Sequence, residues 1–562
     1  MLLDGLYALR KRLAVPYTSI QLSLLGLIGG VIAASLIVLF RLSIEFIQSV
    51  FQEGGALADV SPYLIPALPV FAAILIVAFA DFTGFKHYRL GIPFVLHRVK
   101  AHYGHMPLWN SINQFIGGIL ALSSGFSVGR EGPSVHIGAS GSSWLGHWLR
   151  LPHNAVRTLT ACGIAAGISA SFNTPLAAVI FVMEVVLREY KVHIFIPVML
   201  ASAAGSLITQ SVFGDHAEFA YLSVFSLPAN HYPILIVMGL ILGACAFVFN
   251  NNLMRVIKTF RHYSMFPRLL FAGVFTAFIG YFVPEALGDG TSAIKQAMLS
   301  PTDTHLLIIL LLSKVLLTWC ALGLGIPGGI IGPVFGLGVL IGLIIANLVL
   351  YLDPNEGLMS TYAVLGMAGL MASTLHAPLA ALVAVMELTS TPEAITPAII
   401  VIASAYIMSS QVLKNGSIFL QQLNYQGLAY QTTPVFNVLS RIGVLAEMST
   451  NLKFIEYRSE QDVRYHLNEA EEGQLLIVAI EHDLGTDYSL AEIEHSVGET
   501  QKIKYSQLQT VDTRSTLAHV YDVLQEQKDG ATLITSTSGE KIVGIVSWEQ
   551  LQSVLVSRNA IG

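Results

Sequence analysis

Charge is scarce in this chain: of 562 residues, 12% are Asp, Glu, Lys or Arg, whereas 54% are hydrophobic. A soluble domain carries about 25% charged residues, so the shortage excludes an ordinary water-soluble enzyme. A mean hydropathy of +0.64 agrees. Cysteine is scarcer still. Cys162, Cys245 and Cys320 stand far apart in apolar stretches, which excludes a disulfide framework and offers no metal-ligand spacing. A cleavable leader is not expected either, because Met1–Tyr17 has no apolar core and no small-residue cleavage site. The formal charge of −6 gives no reason to expect a nucleic-acid partner.

The few charges are unevenly spread. Residues 431–562 hold 19 acidic and 10 basic residues, 29 of the 66 in the chain, and the remaining 37 are distributed over the first 430. The first part is thus about 9% charged with a net +3, and the tail carries −9. Two phases of solvation follow, lipid for the first part and water for the second. Arg10, Lys11 and Arg12 precede the apolar run Ile20–Phe40, which by the positive-inside rule puts the N-terminus in the cytoplasm. We therefore expect a cytoplasmic segment over 1–18, a membrane domain over 19–430 and a cytoplasmic domain over 431–562. The expected setting is the cell (inner) membrane, with lipid as a partner.

Many apolar runs of the membrane part, such as Leu176–Val186 and Leu379–Leu388, are too short to cross about 30 Å of hydrocarbon. Glycine and proline interrupt others, as in Gly91-Ile92-Pro93 and Gly325-Ile326-Pro327-Gly328-Gly329. Broken helices survive in lipid only where they are buried in protein or line a cavity, which favours a transporter over an anchor. The chain also matches itself. Gly163–Glu184 aligns with Gly366–Glu387 at an offset of 203, sharing Pro-Leu-Ala-Ala and Val-Met-Glu. Gly129-Arg130-Glu131-Gly132-Pro133 aligns with Gly329-Ile330-Ile331-Gly332-Pro333 at an offset of 200. Two echoes at nearly one offset indicate duplicated halves, about 19–215 and 232–430, with a site between them near the midplane.

Each repeated motif leads into an apolar helix. A helix start presents unpaired N–H groups and partial positive charge, so two converging starts would hold an anion without a buried lysine or arginine. Glu131 lies inside such a start, where an ionisable side chain is functional by default. Its carboxylate would compete with the anion for one seat, and protonation would release it, making it a pH-dependent gate.

Arg89-Leu90-Gly91-Ile92-Pro93, Gly129–Pro133, Gly328–Pro333 and both Pro-Leu-Ala-Ala segments, in this order, resemble the CLC family of chloride channels and chloride/proton antiporters. The resemblance covers about Ser19 to Gly427. It implies an all-α polytopic membrane domain of inverted-repeat CLC type, with many tilted and broken helices, working as a homodimer with one pore per subunit. It also implies chloride, or a similar small anion, as the substrate. Glu131 then corresponds to the gating glutamate. The anion-binding residues carried over are Arg89, Leu90, Gly91, Arg130, Gly132, Ile330, Ile331 and Phe419.

The departures from that pattern bear on function. Leu90 stands where the family has a serine and Phe419 where it has a tyrosine, so two hydroxyl donors to the central anion are gone. Val185 stands where the antiporters carry an internal proton-transferring glutamate. A passive, pH-gated chloride channel is therefore expected, with the chloride/proton antiporter as the alternative. Glu184 next door has Glu387 as its repeat partner, which favours a structural role for both. In the tail, Thr513–Leu555 resembles a CBS module and Pro434–Val511 a diverged first copy, an α+β CBS-like pair. Gln550 replaces the acid that would contact ribose, so a structural, dimer-stabilising role is preferred to adenine nucleotide binding, and no cofactor or metal is expected. Gly138-Ala139-Ser140-Gly141 also fits the Gly-x-Ser-Gly of intramembrane serine proteases. Small residues recur in helix contacts, so this remains a remote alternative and the chain is not expected to be an enzyme.

Overall fold

A computed structural model of the chain describes residues 2–15, 19–51, 65–85, 90–215, 218–222, 227–351, 356–390, 394–428, 434–471, 474–482, 485–494, 502–536 and 541–559. Internal contacts divide the chain into two compact units. One comprises Ser23–Leu145 and Arg157–Tyr430, the other Met1–Leu22, Gly146–Val156 and Gln431–Gly562.

The larger unit is helical. Nine helices among the described residues are long and apolar enough to cross a membrane. The Ile20–Phe51 helix has 32 residues, about 48 Å at 1.5 Å per residue, so it must tilt within a hydrocarbon layer of about 30 Å. Many of its outward side chains are apolar, with Ile20 and Phe46 largely exposed, as a lipid-facing surface requires. The short runs form short helices, Met359–Leu375, Pro378–Thr389 and Pro175–Phe181, the last continuing into a π-helical turn over Val182–Leu187. Proline opens two of these, at Pro175 and Pro378, where its missing N–H has no helical acceptor to lose.

Packing repeats at the same offsets as the sequence. The Glu131–Trp148 helix crosses the His153–Phe172 helix at Gly138 and Gly163, each so close that a Cβ on either would collide with the carbonyl oxygen of the other. The Ile331–Val349 and Met359–Leu375 helices cross in the same way at Gly338 and Gly366. Glycine is required at these positions because helix backbones touch there. Gly138, part of the protease-like tetrad, is thereby accounted for by close packing.

The halves also clasp each other directly. Glu184 ends the first Pro-Leu-Ala-Ala segment and accepts from the N–H groups of Leu379 (3.2 Å) and Ala380 (2.7 Å), at the start of the second. Glu387 reciprocates, accepting from Leu176 (2.9 Å) and Ala177 (2.7 Å). Each carboxylate thus satisfies two orphan donors of the opposite helix and meets its positive dipole end. The two helices must therefore lie side by side and antiparallel, as inversion of a repeat demands.

The smaller unit carries the α+β part. Its strands are β1 (Leu452–Glu456), β2 (Leu475–His482), β3 (Gly485–Glu494), β4 (Lys502–Gln507), β5 (Gln509–Asp512), β6 (Ala531–Thr535) and β7 (Ile542–Ser547). They form a four-stranded sheet in the order β1-β2-β3-β4 and a three-stranded sheet in the order β5-β6-β7. In each sheet the first pair is parallel and the rest antiparallel, so two similar half-motifs follow one another, as a diverged pair would. The N-terminal helix Leu2–Leu13 belongs to this unit, held by Gly443 N–H donating to Ala14 O (2.8 Å).

Candidate functional site

The two anion-type loops meet as an antiparallel bridge. Gly129 N–H donates to Gly329 O (2.7 Å) and Gly329 N–H to Gly129 O (2.6 Å), joining the first and second repeats at their midpoint. Three glycines of these loops clear a seat. A Cβ on Gly129 would lie 2.7 Å from Glu131 Cδ, one on Gly332 would lie 3.1 Å from Glu131 Oε1, and one on Gly329 would overlap Oε2. A Cβ on Gly132 would come 2.6 Å from Gly328 O, so the loops can approach only with glycine there.

The occupant of that seat is the Glu131 carboxylate. Glu131 is 3% exposed. Its own N–H and that of Gly332 face the carboxylate, yet neither oxygen completes a well-aligned hydrogen bond. A buried carboxylate held only by loosely aligned amides is displaceable, and an anion of similar size could take its place.

On one side of the seat opens a cavity of about 590 Å³ whose lining includes Leu90, Gly91, Gln114, Gly132, Ile330 and Phe419. Arg261 and Arg268 also line it, and positive charge beside a cavity raises the local anion concentration. A separate small cavity of about 40 Å³ is lined by Glu131, Ala177, Phe181, Ala380 and Ala384. Two of its lining residues, Ala177 and Ala380, donate their N–H groups to Glu387 and Glu184.

The family model for the voltage gated chloride channel matches residues 71–410, more than half the chain. The chain belongs to the voltage-gated chloride channel family. The H(+)/Cl(-) exchange transporter ClcA of Salmonella arizonae is 31% identical over 306 residues, 53% of this chain and 65% of that protein. The chain thus spans 65% of the length of that curated relative. A slow cyanobacterial Cl-/H+ antiporter matches in structure with a TM-score of 0.63 at 22% identity, covering 73% of this chain and 98% of its own. A eukaryotic CLC transporter matches with a TM-score of 0.62 at 19% identity over 97% of this chain and 98% of its own, so the shared fold extends through the α+β part.

Against the family pattern the residues singled out in the sequence fall into place unevenly. Leu90 caps the Gly91–Ala101 helix and Phe419, 3% exposed, sits in the first turn of the Ile418–Tyr425 helix, both on the larger cavity. Ile330 and Ile331 are buried at the start of the Ile331–Val349 helix. Arg89 lies outside the described residues. The Gly91 N–H donates to Gln114 Oε1 (2.8 Å). The Arg130 side chain is engaged elsewhere, paired with Glu218 and stacked 4.6 Å from the Phe172 ring centroid. Val185 is 6% exposed in the hydrophobic core, with no ionisable group of its own.

Ser140 hydrogen-bonds His136 O (2.8 Å) and Ser111 Oγ (2.6 Å), and neither ring nitrogen of buried His136 has a hydrogen-bond partner among the described residues. There is no serine–histidine dyad in that pair, and a chloride-channel-family chain is not an enzyme.

Two polar residues inside apolar runs escaped the sequence reading. Lys314 is fully buried and donates to Ala286 O (3.1 Å) and Gly288 O (2.5 Å), facing Asp289. The two carbonyl dipoles and Asp289 offset the cost of its burial. Gln114, also fully buried, is the other. For Lys314, a lone charge within an apolar membrane segment was the signal available.

Proposed function

We propose that this chain carries chloride across the membrane as a homodimer, with Glu131 as the gate of each subunit's path. The observation that carries the reading is the Glu131 carboxylate seated between Gly129, Gly329 and Gly332, where an anion would otherwise sit. Chloride enters from the larger cavity, drawn by Arg261 and Arg268, and meets the backbone amides at the starts of the Glu131 and Ile331 helices. Protonation neutralises Glu131, the side chain leaves its seat, and the anion replaces it. The N-terminus and the α+β domain lie in the cytoplasm of a cell-membrane protein, and that domain serves as a structural, CBS-like support.

Passive conduction is the preferred form, because buried Val185 supplies no inner proton acceptor. Coupled chloride/proton exchange is the second reading. Two observations favour it: a relative named as an exchange transporter, and a small cavity lined by both Glu131 and Ala380, whose N–H is held by Glu184.

The test is simultaneous recording of chloride efflux and external pH from liposomes, with the potential clamped by a potassium ionophore. Chloride flux without proton movement supports passive conduction, and proton uptake against its gradient selects exchange. Glu131→Gln should conduct at all pH values alike. A Glu131→Gln protein with the wild-type pH profile would remove the gate assignment.

A further inference from the structure

Gln114 sits in the Leu108–Ser123 helix with its side chain fully buried. Gly91 N–H donates to one end of its amide at 2.8 Å. A backbone N–H only donates, so the atom facing it must be the carbonyl oxygen Oε1, and the orientation of the amide is fixed by chemistry. The other end, Nε2, then presents two N–H donors, and no acceptor for them lies among the described residues. Buried donors without an acceptor are destabilising unless a ligand or water completes them.

The same side chain lines the larger cavity beside Leu90, Ile330 and Phe419. Leu90 and Phe419 bring no hydroxyl to that wall. We infer that Gln114 is an anion ligand of this cavity, its Nε2–H donating to the permeating halide in place of the donors that Leu90 and Phe419 do not supply. This rests on the chloride-passage reading of the same cavity. A primary amide suits a transit site. It offers a directed donor without net charge, and a fixed full charge would slow release. The bond from Gly91 holds the amide ready, so little reorganisation accompanies binding.

Crystals of the wild-type protein grown in bromide provide the direct test. An anomalous peak within hydrogen-bond reach of Gln114 Nε2, about 3.5 Å, is expected. Calorimetric chloride titration of Gln114→Met should show affinity weakened about tenfold. Gln114→Met combined with Phe419→Tyr, which returns a hydroxyl to the wall, should recover most of that loss. A purely structural role in holding Gly91 would not be rescued by the tyrosine. Bromide bound elsewhere with water on Nε2, or a Gln114→Met affinity within about twofold of wild type, would overturn the assignment. Wild-type protein that binds no halide at all would instead overturn the chloride reading beneath it.

Discussion

Replacing Gly129 by alanine should unseat the gate without touching the gate residue. A Cβ there would lie 2.7 Å from both Cδ and Oε1 of Glu131, and the three heavy atoms nearest to it all belong to that carboxylate. Ordinary contact requires roughly 3.5 Å, and Oε2 would lie closer still, so about 1.5 Å of movement is needed. Both polar groups of Gly129 are anchored in the bridge to Gly329 at 2.7 and 2.6 Å, so the flexible side chain yields before the backbone. With the carboxylate displaced, protonation no longer controls access. In wild-type protein the protonated fraction of a single carboxyl gate falls about tenfold per pH unit above its midpoint, and flux should follow. Gly129→Ala should change by less than about twofold over the same interval, since no titration then limits entry. Its flux should also be smaller than that of Glu131→Gln, because the methyl group narrows the vacated seat. Chloride efflux from liposomes across a series of external pH values measures both quantities. A folded Gly129→Ala protein that keeps the steep wild-type profile would refute the seat geometry.

The reciprocal clasp and the altered anion wall yield two further expectations. Glu387→Ala removes two charge-assisted hydrogen bonds to Leu176 and Ala177, a loss of about 2–4 kcal/mol at a half-buried site. It should lower the thermal midpoint in detergent, with Glu387→Gln intermediate because one acceptor remains; equal midpoints for all three proteins would dismiss the clasp as a stabilising element. Leu90→Ser and Phe419→Tyr should each tighten chloride binding by roughly 0.5–1.5 kcal/mol, about 2- to 13-fold in calorimetry, by adding one net hydrogen bond. Unchanged affinity in both would place the anion away from Leu90 and Phe419.

Much of the architecture is local and was legible in the residues. Charge depletion separates lipid-phase from water-phase segments because the cost of burying charge acts residue by residue. Proline and glycine mark helix starts through backbone sterics alone, as at Pro175 and Pro378. The offsets of 200 and 203 in the sequence return as the paired glycine crossings at Gly138 with Gly163 and at Gly338 with Gly366. Glu131 stood out because a carboxylate within an apolar membrane segment has few uses other than function.

What only the tertiary structure decided are pairings between positions distant in the chain. Glu387 reaches amides 210 and 211 residues away, and Glu184 reaches amides 195 and 196 away. No local window contains both partners. Gly91 and Gln114 make the same point at shorter range: packing gives the Gly91 N–H to Gln114 and leaves the other end of that amide without an acceptor among the described residues. Backbone propensity and hydropathy act within a few neighbouring residues, so the sequence by itself determined which segments enter the membrane and where their helices begin. Hydrogen-bond partners are chosen only once those helices have packed, so the fold alone determined which donors remain for an ion.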